Sequence, residues 1–91
     1  MDIKKYLLRL YVTGATYHSM SAVKNLKAIC EQYLADNYTL EIIDIYQQPH
    51  LAEQEQIIAA PTLIKISPAP VRRLVGDMSD TTKVLMGLDL E

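Results

Sequence analysis

The side chains able to attack, protonate or ligate are few: Cys30, His18, His50, and a carboxylate-rich C-terminal quarter with Asp77, Asp80, Asp89 and Glu91. One cysteine excludes an intramolecular disulfide, a Cys-x-x-Cys redox pair and a Cys-rich zinc site. Cys30 also falls on the apolar stripe of a predicted helix, where a buried thiol is inert. The two histidines are far apart, each near a predicted helix start, and neither has a second His or Cys at ligand spacing. His18 beside Ser19 invites an acid/base reading, yet no third group orients them. The acidic quarter could hold a cation, but a helix-capping role for Asp80 accounts for part of it more simply. Arg72 and Arg73 are adjacent on a predicted strand, so they point to opposite faces and cannot form one phosphate clamp. No Gly-rich phosphate loop, serine elbow or zinc-helix motif occurs. The residues predict a binding domain with no catalytic residues, no metal and no cofactor.

Composition sets the frame for that domain. At 91 residues and 49% hydrophobic content the chain can build one core, so residues 1–91 are expected to form a single domain. Nine Lys plus Arg against eleven Asp plus Glu leave a net charge of -2, which gives no electrostatic reason to expect nucleic acid or an anionic membrane. No apolar run approaches a membrane span, and Met1 to Lys5 lead into a strand pattern rather than a signal peptide. With the cysteine usage, this predicts a cytoplasmic protein.

The stretch that organises the rest is Ala60-Pro61-Thr62-Leu63-Ile64-Lys65-Ile66, a Pro-Ala-Pro turn at Pro68 to Pro70, and Val71-Arg72-Arg73-Leu74-Val75-Gly76-Asp77. Two apolar, β-branched runs around a turn that cannot donate to a ladder predict a hairpin entered through Pro61. Upstream, Tyr6 to Val12 is apolar at almost every position and reads as a strand buried on both faces. Ser19 can cap a helix in which Val23, Leu26, Ile29, Cys30, Tyr33 and Leu34 recur at helical spacing. Thr39 to Tyr46 is a second strand, parallel to the first through a crossover helix. Pro49 to Ile58 carries Leu51, Glu55 and Ile58 at helical spacing. A last helix is expected to start at Ser79, with Asp80 near its positive end.

The predicted order is β-α-β-α-β-β-α, a mixed sheet of the thioredoxin type. In that arrangement catalytic cysteines sit in the loop after the first strand, and here that loop, Thr13 to His18, has no sulfur. Thr81 to Leu90 fits two templates: Thr81, Val84, Leu85 and Leu88 share a helical face, while Val84, Met86, Leu88 and Leu90 share a strand face. Gly87 inside a helix costs roughly 1 kcal/mol relative to Ala, which narrows the gap between the two.

Ala60-Pro61-Thr62-Leu63, Pro70-Val71-Arg72-Arg73, Gly76-Asp77 with Ser79-Asp80, and Lys83 to Leu90 resemble the pattern of the circadian-clock KaiB family. Leu10-Tyr11-Val12 with Gly14, and Pro49 with Leu51-Ala52-Glu53, match it too, so the resemblance spans essentially the whole chain. It implies a non-catalytic regulator that binds the ring-shaped ATPase KaiC, sequesters KaiA and so helps to reverse the phosphorylation cycle of the ring. It also implies a metamorphic chain. A ground-state fold, β-α-β-β-α-α-β, assembles into homo-oligomers, tetramers or dimers, while a thioredoxin-like monomer binds the ring. The family positions that set this balance match Tyr6, Pro70, Gly87 and Asp89.

The partner-facing positions of the family match Ser21, Thr39, Glu41, Gln56 and Arg73. Relatives commonly carry basic or small residues at the first four, whereas only Arg73 is a cation here. Such replacements alter an interface whose register depends on charge complementarity. The expected function is therefore a divergent KaiB acting on its own KaiC-like ATPase, in a clock or in a simpler timer or stress pathway. Two other classes remain open: the thioredoxin-like sensor domain of a clock histidine kinase, and a thiol or peroxide redox protein.

Overall fold

Strand β1, Tyr6–Val12, is apolar along its length because both of its faces are covered, and Leu8, Leu10 and Tyr11 have no solvent exposure. The computed structural model describes residues 5–58 and 60–90. Within them the order is β1, α1 (Tyr17–Tyr33), β2 (Tyr38–Asp44), α2 (Pro49–Gln54), β3 (Thr62–Ser67), β4 (Arg72–Val75) and α3 (Thr81–Gly87). One sheet runs β2-β1-β3-β4, with β2 parallel to β1 and the β3–β4 hairpin antiparallel. This is the expected thioredoxin-like fold, and it is not the ground-state order.

The alternation of side chains along each strand divides the core in two. On one face Leu8, Leu10, Val12 and Leu63 meet Ala22, Leu26, Ile29 and Cys30 of α1 and Val84 and Leu85 of α3. On the other, Tyr11, Ile43 and Ile64 are covered by Leu51 of α2 and by Ile57. Tyr33, expected on the buried stripe of α1, is 44% exposed, and Ala22 takes the inward place.

Helix boundaries depart from the sequence reading for local reasons. α1 begins two residues before Ser19, because the Thr16 hydroxyl accepts the Ser19 N–H (3.4 Å) and serves as the cap. Ser19 is buried, and its own hydroxyl accepts the Thr13 N–H (2.9 Å). α2 stops at Gln54 rather than Ile58, since Gln56 turns left-handed (φ 55) and the N–H groups of Gln56 and Ile57 return to the Glu53 and Ala52 carbonyls. α3 is capped by Asp80, which accepts the Lys83 N–H (3.1 Å), and not by Ser79, whose N–H donates to Asp77 (3.0 Å). The two-template segment is helix through Gly87, and Gly87 is its last residue rather than an interior one. The peptide bonds before Pro61, Pro68 and Pro70 are cis.

Leu26 ties α1 to the sheet from a position with no exposure. Leu26→Ala is expected to cost about 2–5 kcal/mol in urea unfolding, the range for deleting a buried leucine. A loss under about 1 kcal/mol would show that α1 packs elsewhere.

Candidate functional site

Lys65 stands in the middle of the apolar β3 run, so strand alternation sends its side chain into the core beside Leu8 and Leu63, where it is 1% exposed. A buried ammonium is tolerated only when paired. Its partner is Asp89, directly after α3, whose Oδ2 accepts from Lys65 Nζ. Arg72, opposite Lys65 on β4, donates from Nε to both oxygens of the same carboxylate (2.9 and 3.1 Å). These donors, Arg72 first and Lys65 second, hold the Asp89 carboxyl below its ordinary value. Burial, and then the charge of Asp89, push the Tyr6 phenol up.

Two of the predicted switch positions, Tyr6 and Asp89, interact electrostatically, while Gly87 lies against Leu74, which a Cβ would approach at 3.4 Å, an ordinary contact. Pro70 is in the exposed hairpin turn, two residues before Arg72. Lys65 was not singled out from the sequence; the available signal was one cation inside an otherwise apolar run.

The predicted partner positions do not form one patch. Thr39 and Glu41 lie on edge strand β2, where Glu41 accepts from Arg9 (3.1 Å) across the parallel pair. Gln56 and Arg73 are together on that same side of the sheet. The Arg73 guanidinium donates to the Glu55 carbonyl and to the Gln56 carbonyl (3.4 Å), with the Glu55 carboxylate 3.9 Å away. Ser21 is on α1, across the sheet from the rest. As expected, Arg72 and Arg73 serve opposite faces.

The remaining chemistry-bearing residues lie apart from the Lys65–Asp89–Arg72 cluster. The loop after β1 holds a hydroxyl cluster of Thr13, Thr16 and Ser19 with oxygens 3.2 Å apart. Burial, and then the Glu31 charge, push the Cys30 thiol up to about 11, far from a nucleophilic thiolate at neutral pH. His18 and His50 are exposed residues of α1 and α2. Among the described residues no group of three His, Cys, Asp or Glu could hold a metal ion, and no helix is long and apolar enough to cross a membrane. Asp77 and Asp80 serve the β4–α3 turn and the α3 cap, while Glu91 lies outside the described residues.

A four-stranded mixed sheet with helices on both faces, and with hydroxyls in the loop after β1, places the chain in the thioredoxin-like fold class. The KaiB domain family matches residues 9–90, and the chain belongs to the KaiB family. It is 50% identical over 90 residues to the circadian clock protein KaiB3 of Synechocystis sp., a match spanning 99% of this chain and 88% of that one. It is 54% identical over 87 residues to the circadian clock oscillator protein KaiB of Prochlorococcus marinus subsp. pastoris, covering 96% and 81%. In structure it is similar to the N-terminal domain of Synechococcus elongatus SasA, with a TM-score of 0.78 and 26% identity over 100% of this chain and 90% of that one. Mitochondrial thioredoxin 3 of Saccharomyces cerevisiae shares the fold, with a TM-score of 0.75 at 15% identity over 96% and 80%.

A double-mutant cycle measures the buried pair. Lys65→Met and Asp89→Asn are expected to be non-additive by about 0.5–3 kcal/mol, because the first removes the buried charge that the second would leave unpaired. Additive effects would place Lys65 in solvent. The carboxyl of Asp89 is depressed in the folded state, so its stabilisation is complete above the ordinary carboxylate range and is lost as pH falls through the lower folded value. Asp89→Asn should therefore flatten the acid limb of a stability–pH profile. An unchanged limb would contradict the pairing.

Proposed function

We propose that this chain is a non-catalytic regulator that docks on a KaiC-like ring ATPase and modulates its phosphorylation and ATPase cycle, in a circadian clock or a simpler timer. The reading is carried by KaiB family membership over residues 9–90 in a chain folded like the SasA domain. The chain works in the cytoplasm and alternates between this ring-binding monomer and a ground-state homo-oligomer, a tetramer or dimer. Tyr6, Pro70, Gly87 and Asp89 set the balance. A KaiA partner would be captured by the complex, as the family pattern implies.

The docking residues are Ser21, Thr39, Glu41, Gln56 and Arg73, and their charges give the complex its selectivity. Glu41 is neutralised by Arg9, and Arg73 is engaged with its own chain, so few free cations face the partner. A ring matched to this surface differs in charge from one that selects relatives with basic residues at these positions. The sensor-domain reading draws on the SasA likeness, but that identity is 26%, against 50% for KaiB3. A thiol enzyme is disfavoured by the raised Cys30 pKa.

The test is a pull-down of purified full chain with the KaiC-like ATPase of its own genome, in ATP and in ADP. Retention in one nucleotide state is expected, weakened at least severalfold by Glu41→Lys and unaffected by Cys30→Ser. No retention in either state would overturn the reading.

A further inference from the structure

Strand β4 is an outer strand of the sheet, and one side of its backbone has no strand beside it. The Gly76 N–H donates to the Pro61 carbonyl (3.0 Å), and antiparallel pairing alternates, so Leu74 and Arg72 also bond inward to β3. The N–H and C=O groups of Arg73 and Val75 therefore point away from the sheet. Edge strands are ordinarily guarded by charged side chains. Here both candidates are drawn off the edge, Arg72 to the Asp89 carboxylate on one face and Arg73 to the Glu55 and Gln56 carbonyls on the other. Beside them Val71 and Val75 are left 64% and 54% exposed.

A cavity of about 190 Å³ opens between this edge and α3, lined by the apolar Leu74, Met78 and Val84 and by Gly76, Asp80 and Lys83. It holds several times the roughly 30 Å³ share of one water molecule. A Cβ on Gly76 would meet nothing within 4 Å, so the strand end borders open space. Asp80 is committed to the Lys83 N–H as the α3 cap, whereas the Lys83 ammonium makes no hydrogen bond or ion pair among the described residues. We propose that the outer edge of β4 and this cavity form a docking site for an extended segment of a partner protein, which pairs with the Arg73 and Val75 backbone, fills the cavity with an apolar side chain and gives a carboxylate to Lys83. Outward strand groups call for a strand, because an extended backbone presents N–H and C=O groups at the matching spacing. A residue opposite Leu74 shares its face and enters the cavity, and a residue two places away keeps to the same face, where Lys83 stands. The site is separate from the docking residues named above: of those only Arg73 lies on β4, and its side chain serves the opposite face.

The test presents the full chain with an array of synthetic heptapeptides, Thr-Thr-X-Thr-Z-Thr-Thr, in which X and Z run through all amino acids and threonine supplies strand propensity. Binding is expected where one of X and Z is apolar and the other is Asp or Glu, and Lys83→Glu should exchange that acidic preference for Lys or Arg. Lys83→Gln should weaken the best peptide about two- to fivefold, as loss of an exposed ion pair does. With that peptide bound, the Arg73 and Val75 amides of 15N-labelled chain should be protected from hydrogen exchange. Val75→Pro removes an outward donor without costing a bond to β3, and should lower the affinity about tenfold with the amide spectrum otherwise retained. Should that variant not fold, the exchange data on the parent chain decide. An array without apolar–acidic selection, an acidic preference kept in Lys83→Glu, or protection lying elsewhere on the sheet would overturn the proposal. So would a parent chain that elutes as a dimer and turns monomeric in Val75→Pro, which would give the edge to a second copy.

Discussion

The structure depends on placing one charge where charge is costly. Lys65 enters the core because β3 alternates and its neighbours in sequence are apolar, and an unpaired ammonium there would be driven to neutralise or to leave. Asp89 resolves this from the far side of α3, and Arg72 fixes the carboxylate that does so. A single acidic residue thereby connects the last helix, the centre of the hairpin and, through Tyr6, the start of β1. The C-terminal half is held to the sheet by a polar contact as well as by Leu85, Leu88 and Leu90.

That choice has a consequence for conformational freedom. A purely apolar contact at position 65 would cost little to rearrange into another apolar contact, whereas a buried ion pair must be exchanged for another partner or for water. Any alternative packing of residues 60–90 therefore has to rehouse Lys65, and this constraint selects among packings. On the outer surface, arginines of β4 bind the ends of α2 and α3. In the first half α1, β1 and β2 are joined by apolar burial, α1 ends on a left-handed Ala35 (φ 49), and Glu41 with Arg9 forms a partly exposed pair of the kind that adds at most about 1 kcal/mol.

The fold was legible where patterns were long. The continuous apolar run of β1 indicated a central strand because such a run needs cover on both faces, and the prolines around residues 61–70 indicated the hairpin because they cannot donate to a ladder. Helix ends were less legible, since Gln56 and Asp89 occupy positions where glycine would have announced the stop. Thr16 capped in place of Ser19 because the buried Ser19 hydroxyl was already used by Thr13. For Thr81 to Leu90 the sequence supported helix and strand alike, and packing of Val84, Leu85 and Leu88 against the sheet favours helix here. The switch positions came from family resemblance, but Lys65, which makes sense of Asp89, required the register of β3 against β1 and β4. The predicted partner positions came as a set from the same resemblance, and the sheet separates Ser21 from the other four.

The most direct examination of this account is NMR observation of the Lys65 ammonium group in the thioredoxin-like fold. Slowly exchanging Nζ protons, with cross-relaxation to Asp89 and to Leu8 across the strand pair, are the predicted result. An ammonium that exchanges as fast as those of Lys24 and Lys27 on the exposed face of α1 would mean that the charge is not in the core, and the account would fall.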